Sequence, residues 1–319
     1  MLVGPADENL HAHTGLRRRA LERLGCRVSA FDPQGRGGWV SRLRRAGLQD
    51  RLARAIASAA PAAVVVLEDC HLEPELVDWI KRGSGATWAG WFCDTCRPPD
   101  KVRSLASAYD LVFVADSESV SELAGRGQRP VRYLPPGCDP SIHRPMRARD
   151  RFRANVVFVG TATPHRERLL SELVEYGLAV WGPGWRRTKL RDYCRGELLA
   201  HSDYVRAYAG ASVAINLVWG GVDAQSGEGH GCNRRLFELA AIGVPQVVED
   251  SPDLHRHFRE GSEILVSRTS TDLRQLTAEA LHDRAWAEQV AAGGRQRALS
   301  EHTYMHRMIE LLQLTGVVS

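Results

Sequence analysis

No stretch of this 319-residue chain approaches the ~18 consecutive apolar residues that a membrane-spanning helix requires. A bilayer-crossing protein is therefore not expected. The opening residues Met1-Leu2-Val3-Gly4-Pro5 show neither the charged nor the long apolar region of a secretory leader, so the expectation is a soluble, cytoplasmic protein. Cysteine is sparse, at seven scattered positions (26, 70, 93, 96, 138, 194 and 232). An odd, dispersed set argues for reduced thiols over a disulfide framework. Cys93-Asp94-Thr95-Cys96 has C-x-x-C spacing but no second pair at zinc-finger distance, which favours packed thiols over a metal or redox site.

The usual phosphate and metal motifs are missing too. A dinucleotide fingerprint needs G-x-G-x-x-G after a strand. The nearest segment, Gly227-Glu228-Gly229-His230-Gly231-Cys232, fails at its last glycine, so NAD is not expected. There is no G-x-x-x-x-G-K-[ST] loop, no H-E-x-x-H zinc helix and no G-x-S-x-G nucleophile elbow. Nor is there an Asp-x-Asp pair, the usual means of holding a divalent cation against a diphosphate. A diphosphate bound by this chain must be neutralised by arginines and helix N-termini, so neither a metal nor another cofactor is expected.

What is present is a globular composition, 44% hydrophobic and 25% charged, in a chain long enough for two α/β domains of ~100–200 residues each. The net charge is only +4, yet eleven arginines fall between Arg17 and Arg54. They form either a solvated helix face or a basic surface suited to an anionic acceptor or to nucleic acid. Short apolar runs, each followed by a turn and a helix-period stretch, recur along the sequence, the pattern of βα units and parallel sheets. Strands are predicted at 1–3, 27–31, 62–67, 87–92, 111–115 and 131–134, then at 156–159, 179–181, 213–217, 246–248 and 264–266. Between the halves, Leu134-Pro135-Pro136-Gly137-Cys138-Asp139-Pro140 and an arginine-rich stretch to Arg153 interrupt regular structure. These features predict a hinge at 140–153 and domains at 1–145 and 146–319, with the C-terminal helix free to pack back on the first.

The segment richest in chemistry runs from Asn233 to Val248. It reads as a polar loop entering a helix with Phe237, Ala240 and Ala241 on its packed side, a Gly243-Val244-Pro245 stop and a buried strand. Glu238 in the first turns of that helix suits either a capping role beside a neighbouring arginine or a bidentate contact to a ribose diol. Arg235, three residues earlier, is placed to reach a phosphate.

This segment resembles the R-x-F-E…G-x-P stretch of GT-B-fold glycosyltransferases, and of the CgeB-like family in particular. Further stretches are similar to that family in order: Val157 to Thr161 with Arg166, Val180 to Trp185, Tyr204 to Tyr208 through Ile215-Asn216-Leu217, Phe258 to Ile264 and His302 to Arg307. Together they span about 155 to 312. In the first half the resemblance rests on Leu134 to Pro140 and Trp91-Phe92-Cys93-Asp94.

The resemblance implies an α/β protein of GT-B architecture, two Rossmann-like domains with parallel sheets facing across a cleft. It implies a nucleoside diphosphate sugar as donor on the second domain and an acceptor on the first, where the basic first third suits an anionic one. Gly160 and Thr161 would offer backbone N–H groups to the diphosphate, with Arg166 and Arg235 neutralising it. Trp181 and Trp185 would either pack on the base or belong to the core. Asn233 enters the helix that carries Arg235 and Glu238. Relatives that retain configuration often carry a glutamate eight positions before the one matching Glu238; here that position is His230, with Glu228 two residues further back, and either may face the sugar instead. For a base acting on the acceptor, the first-domain loops supply His11, His13 and Glu8 after the first strand and Asp94 after the fourth. The expected activity is metal-independent, Leloir-type glycosyl transfer. A sugar-nucleotide epimerase or hydrolase, a non-catalytic sugar-nucleotide binder and, more distantly, a nucleic-acid binder are the competing readings.

Overall fold

The computed structural model describes residues 1–5, 13–33, 47–67, 72–93, 106–124, 130–197, 199–218 and 231–318. The chain forms two compact units, one of Met1–Pro135 with Tyr304–Ser319, the other of Pro136–Thr303. The sequence boundary was drawn at 145; the division falls between Pro135 and Pro136, and again between Thr303 and Tyr304.

In the first unit the order is β1 (Leu2–Val3), α1 (His13–Arg23), β2 (Ala30–Phe31), α2 (Leu48–Ala59), β3 (Ala63–Leu67), α3 (Pro74–Lys81), β4 (Thr87–Phe92), β5 (Leu111–Val114), α4 (Ser117–Ala124) and β6 (Val131–Tyr133). The six strands pair in parallel in the order β2-β1-β3-β4-β5-β6. The runs Ala63-Val64-Val65-Val66-Leu67 and Leu111-Val112-Phe113-Val114 are apolar throughout and buried throughout, because a parallel sheet is covered on both faces. Amphipathic α2 turns Leu52 and Ile56, four residues apart, into the core. Pro74 at the start of α3 sits where a missing N–H leaves no bond unmade.

The second unit contains β7 (Ala154–Val159), α5 (Pro164–Ser171), β8 (Leu178–Trp181), β9 (Cys194–Gly196), α6 (His201–Ala209), β10 (Ala211–Asn216), α7 (Arg234–Ile242), β11 (Gln246–Glu249), β12 (Leu265–Ser267), α8 (Ser270–His282) and α9 (Arg284–Glu301). The last helix, α10 (Tyr304–Leu314), belongs to the first unit. The second sheet is also six-stranded and parallel, in the order β12-β11-β10-β7-β8-β9. Each unit has its own core: Val64, Trp88 and Val112 lie in one, Val156, Phe158, Ile215 and Val247 in the other.

The eleven predicted strands are all present within a few residues of their expected ends. β9 was not anticipated. Its three residues, Cys194-Arg195-Gly196, offer no apolar run, and its pairing with β8 slips at Val180/Trp181. No helix among the described residues is long and apolar enough to cross a membrane.

Candidate functional site

In a doubly wound sheet, ligands sit outside the carboxyl ends of the strands where the chain changes its direction of winding. In the second unit that place is the boundary between β7 and β10: successive strands add outward from β7 to β8 and β9 on one side, and from β10 to β11 and β12 on the other. Four segments reach it, namely the turn after β7, the end of β10, and the first turns of α5 and α7.

Two helices are aimed there by their caps. Thr163 caps α5, its hydroxyl accepting the Arg166 N–H at 3.2 Å, with Pro164 at the first helical position. Asn233 caps α7, its Oδ1 accepting the Leu236 N–H at 3.2 Å. At the other end of α7, Gly243 stops the helix in the left-handed region, φ 77°, so the chain turns directly into β11. Both positive helix ends therefore face the carboxyl edge of the sheet.

Asn216, the last residue of β10, is buried and organises the arginines. Its Oδ1 accepts from Asn233 Nδ2 at 2.9 Å and from Arg235 Nη1 at 3.2 Å. Arg235 also donates to the Leu217 carbonyl at 3.4 Å, and its guanidinium lies 5.1 Å over the Phe158 ring. Its Nη2 stands beside Gly160, where a Cβ would come within 3.0 Å of it. No acceptor for that nitrogen is found among the described residues. A side chain at position 160 would crowd both Arg235 and the Phe158 ring, which sits 3.0 Å from the same Cβ position.

Arg166 is tied into the protein backbone. It is buried, and its three side-chain nitrogens donate to carbonyls: Nε to Val218 at 2.9 Å, Nη1 to Thr161 at 3.0 Å and Nη2 to Leu217 at 3.2 Å. It ties the turn after β7 to the end of β10 and sets the backbone there. Its charge stays at the site while its donors are spent on the protein. The Gly160 N–H is likewise committed, to the Trp181 carbonyl at 2.9 Å, and so is not offered to a ligand. The Thr161 N–H takes no part in the hydrogen bonds that close this turn.

The tryptophans resolve in favour of the core. Trp185 is fully buried, its indole N–H donating to the Gly160 carbonyl at 2.7 Å and its ring edge-on to Phe158. Trp181 is buried against Phe152, with Arg195 5.6 Å over its ring. Neither is placed to stack on a base.

Glu238 is 1% exposed, not open to a ribose. The Tyr204 hydroxyl donates to its Oε2 at 2.5 Å, and its Oε1 lies 3.7 Å from both His143 Nε2 and Arg234 Nε. Burial, reinforced by the Glu238 charge, holds the Tyr204 hydroxyl well above its ordinary pKa, so it remains a donor. The carboxylate is thereby the centre of an internal network on α7, α6 and the segment before β7. A residue with no role in the sequence reading, Glu249 at the end of β11, also reaches the edge: its Oε2 accepts the Val218 N–H at 3.0 Å and its Oε1 lies 2.7 Å from His165 Nε2 on α5.

Among the sequence candidates, Gly160, Thr161, Arg166, Asn233 and Arg235 come together at the β7/β10 boundary. His13 opens α1 in the first unit. His11, Asp94, Glu228, His230 and Glu8 lie outside the described residues. Asn216, Tyr204, His143, His165 and Glu249 are the additions. Asn216 had a signal, a polar residue ending an apolar strand; His143, in the inter-domain stretch, had none.

Residues 165–313 match a family described as glycosyl transferase-like. Among solved structures, sucrose-phosphate synthase from Thermosynechococcus elongatus superposes with a TM-score of 0.69 at 13% identity, covering 98% of this chain and 97% of that one. HepE from Anabaena, in complex with UDP and glucose, gives 0.65 at 12% identity over 94% of this chain and 89% of its own. An alpha-glucosyltransferase in complex with UDP and a mismatched DNA gives 0.69 at 11% identity, with 99% and 98% covered. No curated protein matches the sequence. At such identities the superpositions establish the fold alone: two parallel six-stranded sheets, as in GT-B structures.

Proposed function

We propose that this GT-B chain is a Leloir-type glycosyltransferase of CgeB-like character, moving a sugar from a nucleoside diphosphate to an acceptor hydroxyl without a metal ion. The observation that carries the reading is Arg235. Asn216 and Phe158 hold it, yet it keeps Nη2 over Gly160, between two helix N-termini at the β7/β10 boundary. A cationic edge lined by positive helix ends suits a diphosphate and supports this reading. The glycosidic C1–O bond breaks with its electron pair leaving on the diphosphate; the acceptor oxygen bonds C1 and gives its proton to a base. Arg235 stabilises the charge that develops on the leaving oxygen, aided by the buried charge of Arg166. His11, His13 and Asp94 remain our candidates for the base, and Glu228 and His230 for the sugar contact.

The UDP complexes of the structural neighbours make UDP the first nucleotide to try. Calorimetry and thermal shift with UDP, dTDP, GDP and ADP, with and without EDTA, are expected to show one diphosphate that binds saturably and is indifferent to chelator. Arg235→Ala should weaken that binding about 10- to 100-fold, the loss of a charge-assisted contact. Absence of saturable binding by every nucleotide, or equal binding by the variant, overturns the assignment.

A further inference from the structure

The first unit contains a buried cation that the described residues leave largely unsatisfied. Arg17, on α1, is 1% exposed, and its Nε and Nη1 are buried with no hydrogen-bond partner among the described residues. Nη2 donates to Cys93 Sγ at 3.1 Å, a weak acceptor. The guanidinium stacks 4.0 Å over Trp91 and 5.3 Å from the Tyr304 ring. Among the described residues no carboxylate pairs with it. Ring faces offset part of the desolvation of a buried guanidinium, but they satisfy none of its in-plane N–H groups.

A second buried donor shares its face. Thr14, three residues earlier on α1, is 4% exposed and its Oγ1 has no hydrogen-bond partner among the described residues. That hydroxyl lies against Gly4, directly after β1, so closely that a Cβ on Gly4 would come within 2.3 Å of it. In the first sheet the winding reverses at β1 and β3, so Thr14 sits at the carboxyl edge where a doubly wound sheet takes its ligand. Arg17 meets the carboxyl end of the same sheet at β4, through Trp91 and Cys93. The first turns of an eleven-residue helix thus bring a positive helix end, an unmet hydroxyl and an unmet guanidinium to one edge.

We infer that Arg17 and Thr14 form an oxyanion site in the first unit, which receives a carboxylate or phosphate group of the acceptor. The role as an acceptor site rests on the transferase reading above; the oxyanion site itself does not. The planar guanidinium, fixed between two rings, is preorganised for such a group.

The test titrates the full chain with inorganic phosphate and, separately, with acetate, in chloride buffer at constant ionic strength, read by calorimetry and thermal shift. Wild type and Arg235→Ala are both expected to bind one of these anions saturably, since the site lies outside the second unit; the one that saturates at lower concentration identifies the group. Arg17→Met and Arg17→Lys should weaken binding at least tenfold, and Thr14→Val a few-fold. Circular dichroism checks folding, and if Arg17→Met does not fold, Arg17→Lys and Thr14→Val decide. No saturable binding in wild type, or binding unchanged in the folded variants, overturns the site. Nucleotide titration of the same variants separates the two readings: diphosphate binding without Arg17-dependent anion binding defeats only this inference, and the reverse defeats only the transferase assignment.

Discussion

At the residue scale the second unit holds a cluster of buried polar and charged groups around Glu238. His143 Nδ1 accepts the Asp139 N–H at 3.0 Å, which places the ring proton on Nε2, toward Glu238. Burial lowers the His143 pKa, and the Arg234 charge adds to this, while Glu238 and Asp139 oppose it. A histidine held neutral in the fold is protonated more readily in the unfolded chain. Its contribution to stability is therefore present above the ordinary histidine pKa of ~6.5 and is lost as pH falls below it, with a limiting slope of about 1.4 kcal/mol per pH unit. Urea unfolding between pH 7.5 and 5.5 is expected to show this loss, and His143→Asn, which keeps an acceptor for Asp139, to show a shallower one; parallel profiles would sink the account. Sequence spacing made Arg235 and Asn233 legible, because a cap and an arginine at a helix start are local features. It made Arg166 legible as an arginine near a glycine turn, but not that three carbonyls from the turns after β7 and β10 would claim its nitrogens.

At the element scale, the strands were legible wherever both faces are buried. Such strands are continuous apolar runs, as in Val156-Val157-Phe158-Val159. The loop after β8 was not. Gly182-Pro183-Gly184 reads as a strand-end turn whose flanking tryptophans suit a base or the core alike, and the turn folds back and buries Trp185 on Phe158. The closeness of that packing is visible at Gly182, whose φ is 131° and where a Cβ would stand 2.1 Å from the Gly160 carbonyl oxygen. Backbone cannot yield as a side chain does. Gly182→Ala should cost about 2–5 kcal/mol, from the unfavourable backbone region and forced overpacking. Denaturant titration should report it as a lower midpoint at unchanged slope, and a change within about 0.5 kcal/mol would show that the turn is softer than its geometry implies.

At the scale of the whole molecule, the chain leaves its first unit at Pro135 and returns to it at Tyr304. The returning helix α10 packs on α1 with Tyr304, Met308, Leu311 and Leu312 buried, and Arg307 Nε donates to the Pro135 carbonyl at 3.0 Å. Full burial of an apolar side chain is worth about 1.5–3 kcal/mol, so four of them match much of the ~5–15 kcal/mol that keeps a domain folded. Deleting residues 304–319 is expected to raise hydrogen exchange throughout β3 and β4 while β7 and β10 keep their protection; unchanged exchange in β3 and β4 would refute this dependence. The order of strands, the two-unit plan and the helix that carries Arg235 were set by the sequence alone, because periodicity, caps and turn residues act over a few positions. Which polar groups are spent on the protein and which are left unmet among the described residues was decided only by the tertiary structure. The contact of Glu238 with Tyr204, the bonds of Arg166 to Leu217 and Val218 and the stacking of Arg17 on Tyr304 join residues 34 to 287 positions apart along the chain, and no local pattern specifies those.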